Sequence, residues 1–380
     1  MKKQLLIPET LNLNNFDLLR FLLASAVIFC HCYAIFYGWE LFAANEPFMK
    51  WSGGKISIGS AAVNFFFVIS GFLILRSFER SSNFWDFLKK RVLRIYPGFI
   101  AAFVLCLLVF GPIGHISHSW IKSYGEFLDY VPLKLELANM LSLQSPVEGY
   151  YFNHLPQTGL NNSMWTIQYE FICYLSVPIL VWLGCLRHKA GLAIALTGCY
   201  ALLSLQNFGF VFQHDASLNG YILANPYFYP RFFTYFFAGS LVYAYRHHIP
   251  RHPFFLALSL AVFVLALKLQ LMDLAWPIAG TYLLFYFAYH PKALFPNFAK
   301  YGDFSYGIYL YGWPLQQLTM LYWGQYLTPL TFFVIVLPLV LIFAIASWYL
   351  VEKPTLKLKQ MTIRQLKAIP LMQAAPKQRT

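Results

Sequence analysis

The chain has 380 residues, 59% of them apolar and only 11% charged, with a mean hydropathy of +0.54. That composition excludes an ordinary soluble domain. A net charge of +13 would suit a polyanionic partner, yet no nucleic-acid-binding motif accompanies it, so no nucleic acid is expected as a ligand.

Apolar runs recur from one end of the chain to the other. They are continuous rather than alternating, which favours helices over a barrel. At about 20 apolar residues per crossing, spans fall at 16–37, 58–78, 92–112, 163–184, 190–208, 228–246, 253–271, 273–290, 303–323 and 329–350. The predicted fold is an all-α integral membrane protein of about ten transmembrane helices. A membrane domain covers 1–355 and a basic cytoplasmic tail covers 356–380. The charges test the count. With both termini cytoplasmic, the segments on that side hold 22 of the 28 lysines and arginines. Lys50, Lys55, Lys122, Lys134, Arg231 and Lys268 make up the remainder. This bias follows the positive-inside rule and makes the charge excess a signal of topology.

The first span reads FDLLRFLLASAVIFCHCYAIFY. Asp17 and Arg20 interrupt its start and no small-residue cleavage site follows, so it reads as a retained span and not a signal peptide. Arg20 and His31 stand close to three helical turns apart, which puts them on one face with a rise of about 16 Å between them. Polar groups stacked on one face of a membrane helix are costly in lipid and mark a functional site. Cys30-His31-Cys32 is a poor chelate, because helical neighbours one and two apart point in different directions, and no metal is expected. Cys106, Cys173, Cys185 and Cys199 also lie in or beside spans, which argues against a disulfide framework.

The second span carries Asn64 and Ser70. Buried amides and hydroxyls in membranes bond neighbouring helices, and an amide with two donors and two acceptor lone pairs also suits a cavity wall. The block Lys89-Lys90-Arg91-Val92-Leu93-Arg94-Ile95-Tyr96-Pro97 opens the third span. Lys89 and Lys90 read as membrane-surface anchors. Arg91 and Arg94, three apart on one face, suit phosphate capture, and Arg20 approaches from the same side.

Residues 113–162 form the largest outer segment, with His115, His118, Glu126, Asp129, Glu136, Glu148 and His154. It reads as a lid or an acceptor-binding surface. Glu170 follows about two turns inside the fourth span, in WTIQYEF. A carboxylate at that depth needs a partner, and His31 or a nearby arginine is the favoured one. Arg231, at the outer end of the sixth span, reads as a snorkelling cation or a contact for an anionic acceptor. The ninth span holds FSYGIYLYGWP, whose aromatics lie too deep for an interfacial belt. The tail after Glu352-Lys353-Pro354 is expected to be flexible or to lie on the anionic inner leaflet.

Together these blocks resemble the membrane acyltransferase-3 family, the O-acyltransferases of bacterial surface polysaccharides. Five stand in the family's order: Arg20 with His31, VNFFFVISGFLI from Val63 to Ile74, RVLRIYP from Arg91 to Pro97, WTIQYEF from Trp165 to Phe171, and SYGIYLYGWP from Ser305 to Pro314. Two positions depart from the pattern. Asn64 stands where the family often has an acid, and Gly312 where it often has histidine. The chain is similar to the stand-alone form without a C-terminal SGNH-type domain.

The resemblance implies a membrane O-acetyltransferase of the bacterial inner membrane. It would move an acyl group, most simply acetyl, from cytoplasmic acetyl-CoA to a hydroxyl of a surface glycan such as lipopolysaccharide O-antigen or exopolysaccharide. Arg20, Arg91 and Arg94 would hold the donor phosphates, and the pantetheine arm would follow the rise from Arg20 to His31. His31 would be the general base, with Glu170 orienting it. Asn64, Ser70, Trp165 and Tyr309 would line the cavity as substrate contacts. A covalent acyl-histidine step stays open, as does a homo-oligomer; membrane lipids are the remaining partner. Two other classes compete. A glycan or lipid-precursor transporter or flippase would favour internal similarity between the two halves, and none is found. A glycan polymerase would need catalytic acids and bases in a large outer loop, and 113–162 is poor in arginine.

Overall fold

The computed structural model describes residues 5–8, 14–116, 123–149, 151–186, 189–211, 220, 224–290 and 298–360, and these are helical with no strand among them. The principal helices are α1 (Phe16–Asn45), α2 (Ile58–Glu79), α3 (Phe84–Leu105), α4 (Trp165–Trp182), α5 (Lys189–Asn207), α6 (Tyr229–Ala244), α7 (Pro253–Leu269), α8 (Thr281–Ala288), α9 (Ser305–Trp323) and α10 (Pro329–Ser347). α3 runs on through a widened turn at Cys106–Phe110 into Gly111–Ile116, and α10 through Trp348–Glu352 into Lys353–Lys357.

Local chemistry sets several starts. The Ser57 hydroxyl accepts from Ser60 N at 3.0 Å ahead of α2, and Asn83 accepts from Asp86 N at 3.0 Å ahead of α3. Thr328 and Thr331 bond reciprocally at the start of α10. Each satisfies a backbone donor that a helix start would otherwise leave bare. α1 continues past its drawn end at 37. Gly38 takes φ +73°, a value that favours glycine, and the helix resumes to Asn45.

Among the described residues, five helical segments are long and apolar enough to cross a membrane: Phe16–Trp51, Ile58–Glu79, Phe84–His115, Lys189–Asn207 and Pro329–Lys357. The other helices drawn as spans are shorter or less apolar. α4 and α9 lose hydropathy because their interior faces carry Thr166, Gln168, Ser305, Gln316 and Gln317, all buried. α9 packs against α1 and α10, and α1 also packs on α2. Segment 157–163 is stitched to α9: Trp313 Nε1 donates to Gly159 O at 2.9 Å and Asn161 Nδ2 to Leu310 O at 2.8 Å.

α2 and α6 meet backbone to backbone. A Cβ on Gly71 would stand 1.8 Å from Phe236 O, and one on Gly239 would stand 1.9 Å from Val68 O. Ser240 Oγ completes the contact by donating to Gly71 O at 3.0 Å. No side chain there can yield, so the contact excludes anything larger than glycine.

In the outer segment, Tyr124–Tyr130 and Leu133–Leu141 are short helices. Glu136 is 1% exposed. It accepts from Val147 N at 3.1 Å and from the Tyr151 hydroxyl, and so ties the second helix to the strand of chain that follows. Burial raises its carboxyl pKa to about 7, against a bond from Tyr151 that lowers it. Of the histidines placed in this segment, His115 packs on Tyr130 at 5.0 Å, whereas His118 lies outside the described residues. So do 361–380 of the basic tail, while Lys353–Gln360 are helical and packed on α3.

Two outcomes follow. Gly71→Val or Gly239→Val should destabilise the protein by more than the roughly 1–3 kcal/mol of ordinary overpacking, because backbone and not side chain is struck. A thermal melt in detergent with an unchanged midpoint would refute the contact. For Glu136, the folded pKa of about 7 lies above the ordinary 4.5, so its contribution is full below about pH 4.5 and is lost as pH rises through about 7. Exchange protection in 133–147, corrected for intrinsic rate, should be greater at pH 5 than at pH 8. Glu136→Gln should flatten that difference.

Candidate functional site

A cavity of about 140 Å³ lies between α1, α2, α3, α4 and α9. At one end stand Arg20, Arg91 and Arg94, with Tyr174 and Tyr306 beside them. Ser70 and Glu170 occupy the middle, and Thr166, Tyr309 and Phe66 the other end. A water molecule takes about 30 Å³, so the space suits a slender acyl thioester end and not a whole nucleotide.

The three arginines are held differently. Arg94 Nη2 reaches Asp303 at 2.6 Å and Nη1 reaches Glu352 at 3.6 Å. Arg20 bonds Asp17 and lies 3.5 Å from the same Asp303 carboxylate. Glu352 is buried and Asp303 partly so, with side chains 2% and 14% exposed. Arg91 instead donates to Ser77 Oγ at 3.1 Å and faces the Phe87 and Tyr174 rings at 5.8 and 5.9 Å. Glu170 acts on it through space, and Arg91 makes no ion pair among the described residues. Its Nε is buried with no partner. Among these three, Arg91 is the cation whose charge is least spent on the protein.

A fourth cation lies within electrostatic reach of these arginines. Lys359, in the turn after Lys353–Lys357, feels Arg91, Arg94 and Lys90. Burial first, and then those like charges, pull its ammonium down to about 8. The sequence reading assigned it to the tail. Asp303 was missed as well, since a lone carboxylate ahead of a helix reads as a cap, and it does also bond Ser305.

Glu170 is held by hydroxyls. Ser70 Oγ donates to its Oε1 at 2.6 Å and the Tyr174 hydroxyl at 2.5 Å. Thr166 and Tyr309 share a hydrogen bond through their hydroxyls one turn above. Thr166, Glu170 and Tyr174 fall four apart, so the stripe itself is legible as helical spacing, while its partner Ser70 is not. The favoured pairing of Glu170 with His31 is not formed. His31 makes no hydrogen bond among the described residues, and its ring stands edge-on to Trp313 at 4.9 Å, off the cavity lining. Trp39 stacks on the same indole at 6.3 Å. Gly312, one residue before Trp313, sits where a Cβ would come 3.1 Å from Ile28 Cγ1, so this helix contact is tight for any side chain.

Asn64 is fully buried and accepts from Arg231 Nε at 2.9 Å; Arg231 also donates to Ser60 O at 3.3 Å. These two therefore join α2 to α6, and neither lines the cavity. Trp165 lies on the opposite side of α4 from Glu170, with Tyr169 and Phe228. The cavity thus brings together Arg20, Arg91, Arg94, Ser70, Glu170 and Tyr309. His31, Asn64 and Trp165 stand apart from it. Among the described residues no group of three or more His, Cys, Asp or Glu could hold a metal.

The arrangement offers an anion-binding end, a narrow apolar-walled channel and a carboxylate ringed by hydroxyls. Such a channel fits transfer of a small group from a polyanionic carrier. Comparison with known proteins agrees. A family model described as an acyltransferase domain, the acyltransferase-3 type, matches residues 13–349. An O-acetyl transferase of Shigella phage Sf6 is 29% identical over 350 residues, covering 90% of this chain and 95% of that protein. Nodulation protein 10 of Rhizobium leguminosarum bv. viciae is 28% identical over 381 residues, covering 91% and 94%. No solved structure matches. The five sequence blocks, the polar cavity they build and a family match over nearly the whole chain lead to one assignment: the protein belongs to the membrane acyltransferase-3 family.

Proposed function

We propose that the protein is an O-acetyltransferase of the bacterial inner membrane that moves an acetyl group from cytoplasmic acetyl-CoA to a hydroxyl of a surface glycan. The observation that supports this best is the cavity itself, with three arginines at one end and Glu170 in its middle. On a reading with ten spans and cytoplasmic termini, which the distribution of lysine and arginine supports, the cation end lies at the cytoplasm, where acyl-CoA is made. A thioester donor supplies an acyl carbon and a thiol leaving group.

Arg91 and Lys359 take the donor phosphates, and Arg20 and Arg94 add positive potential from within their carboxylate pairs. Two buried, unpartnered guanidinium nitrogens, Nε of Arg20 and of Arg91, fit such an anion. Tyr309 faces the thioester and supplies a hydroxyl donor to the carbonyl oxygen, while the Ser70 proton stays on Glu170. Glu170 holds Ser70 and Tyr174 in place. His31, which rests against Trp313 outside the lining of the cavity, is assigned as the general base and has to turn toward the thioester to act. It takes the acceptor hydroxyl proton as the oxygen forms its bond to the acyl carbon; the carbon–sulfur bond breaks, and His31 returns the proton to sulfur. Trp313 sets the edge on which that imidazole rests.

The test uses sealed vesicles and acetyl-CoA labelled in the acetyl group. Label should enter glycan in inside-out vesicles and not in right-side-out ones; the reverse sidedness would overturn the topology. His31→Ala should lower kcat about 10²–10⁴-fold, the range of general-base catalysis, while wild-type turnover would remove His31 from the mechanism. Arg91→Ala should raise KM for acetyl-CoA about 10–100-fold, as loss of a charge-assisted hydrogen bond does, with the fold intact. Arg94→Ala should lower stability instead, by about 3–5 kcal/mol, because it strands buried carboxylates. Equal effects of the two substitutions on KM and melting would contradict this division.

A further inference from the structure

A second cavity, about 550 Å³ in volume, opens on the other face of α4. Its walls include Asn139, Gln144, Ser145, Trp165, Gln168 and Phe228. It shares no residue with the arginine-lined cavity. The helical repeat separates the two: Thr166, Glu170 and Tyr174 face one, Trp165, Gln168 and Tyr169 face the other. The volume falls within the roughly 300–1,000 Å³ of small-molecule sites.

Its chemistry is specific. Among the described lining residues Glu148 is the single charge, so nothing there would hold a phosphate. Trp165 rests on Phe228 at 4.8 Å and Tyr169 at 5.7 Å and stays 37% exposed at the rigid start of a helix. Amides surround it. Asn139 is 7% exposed; its Nδ2 donates to Ser145 O at 2.9 Å, while its Oδ1 has no partner. The Ser145 hydroxyl is likewise buried and unpartnered. A buried acceptor left bare costs about 1–3 kcal/mol, and both atoms belong to residues of the cavity wall. A ligand that presents an array of hydroxyls on one side and an apolar C–H face on the other satisfies both demands. That ligand is a carbohydrate: its C–H face lies on the Trp165 indole and its hydroxyls meet Asn139 and Ser145.

We infer that this cavity is an acceptor subsite that holds one sugar unit of an extended glycan while another unit is acylated. The inference rests on the glycan O-acyltransferase reading above. One α-helix is about 10 Å across, so the two cavities stand that far apart around the start of α4. A single sugar cannot occupy both regions, and an oligosaccharide passing over Trp165 can. The subsite therefore selects for acceptor length and composition without touching the reacting atoms.

The probe is the surface polysaccharide of the producing cell, partly hydrolysed and sized into mono- to hexasaccharides. The wild-type protein in nanodiscs should show KM falling as the acceptor lengthens. Trp165→Ala and Asn139→Ala should each raise KM about tenfold for the hexasaccharide. They should leave KM for the monosaccharide, KM for acetyl-CoA and kcat unchanged. Trp165→Phe, which keeps a ring, should restore most of the long-acceptor affinity and guards against a folding defect. A loss shared equally by short and long acceptors, a fall in kcat alone, or no change would overturn the subsite. Saturation-transfer NMR with the same hexasaccharides separates the two readings. If no acyl group is transferred but the wild type binds and Trp165→Ala does not, the acyltransferase reading fails and the sugar site stands. If the two bind equally, or neither binds, the subsite falls whatever the turnover.

Discussion

The structure depends on one buried knot of charge. Arg20 on α1 and Arg94 on α3 share Asp303, which precedes α9, and Arg94 also meets Glu352 at the end of the α10 extension. The arginines come from the first third of the chain and the carboxylates from its last quarter. Their ion pairs therefore close the chain on itself. Such a network adds little net stability over apolar packing, but half of it is ruinous, because an unpaired charge stays buried. This makes the inner mouth a fixed shape. It also explains why the arginines are unequal: Asp303 and Glu352 hold two of them, and Arg91 is bonded to a serine hydroxyl and framed by rings, with no ion pair among the described residues.

α4 divides the rest of the site. Its stripe at 166, 170 and 174 builds the wall of the narrow cavity, and its stripe at 165, 168 and 169 builds the wall of the wide one. Tyr169 anchors this arrangement by bonding both the carbonyl and the amide of Asn225, at 3.0 and 2.8 Å. The aromatic and amide content that lowers the hydropathy of this helix is thus what a partition between two polar chambers needs. A wholly apolar helix of the same length would cross the bilayer more readily and line nothing.

Much of this was legible in the sequence, for identifiable reasons. Helical periodicity is local, so the arginines at 91 and 94 and the shared face of Arg20 and His31 could be read from spacing alone. Positive charge is distributed by side of the membrane, so it pointed to a topology. Partners are not local. Glu170 takes Ser70, a hundred positions away, and Tyr174, where the spacing argument favoured His31. His31 shares a face with Arg20, but a face is broad, and Trp313 fills the part next to the imidazole. Asn64 looked like a cavity amide because its residue type fits one; Arg231, read as a snorkelling cation, is what it bonds. Lys359 sat in a stretch whose composition suggests a solvated tail, and only packing against α3 shows otherwise. The wide cavity joins segments from 135 to 228 and could not be foreseen from any one of them.

The contact between Gly71 and Gly239 has a consequence for motion. Two helices whose backbones touch cannot slide or rotate against each other without a clash, so α2 and α6 move as one body. Ser70 is next to that contact and is carried with it. Glu170 rides on α4, and the Ser70–Glu170 hydrogen bond spans the boundary between the two. The boundary is held there by a hydroxyl and a carboxylate, which can exchange partners far faster than interlocked backbones can separate. Any separation of α4 from the α2–α6 pair at this level therefore stretches that one hydrogen bond before it disturbs the interlocked backbones.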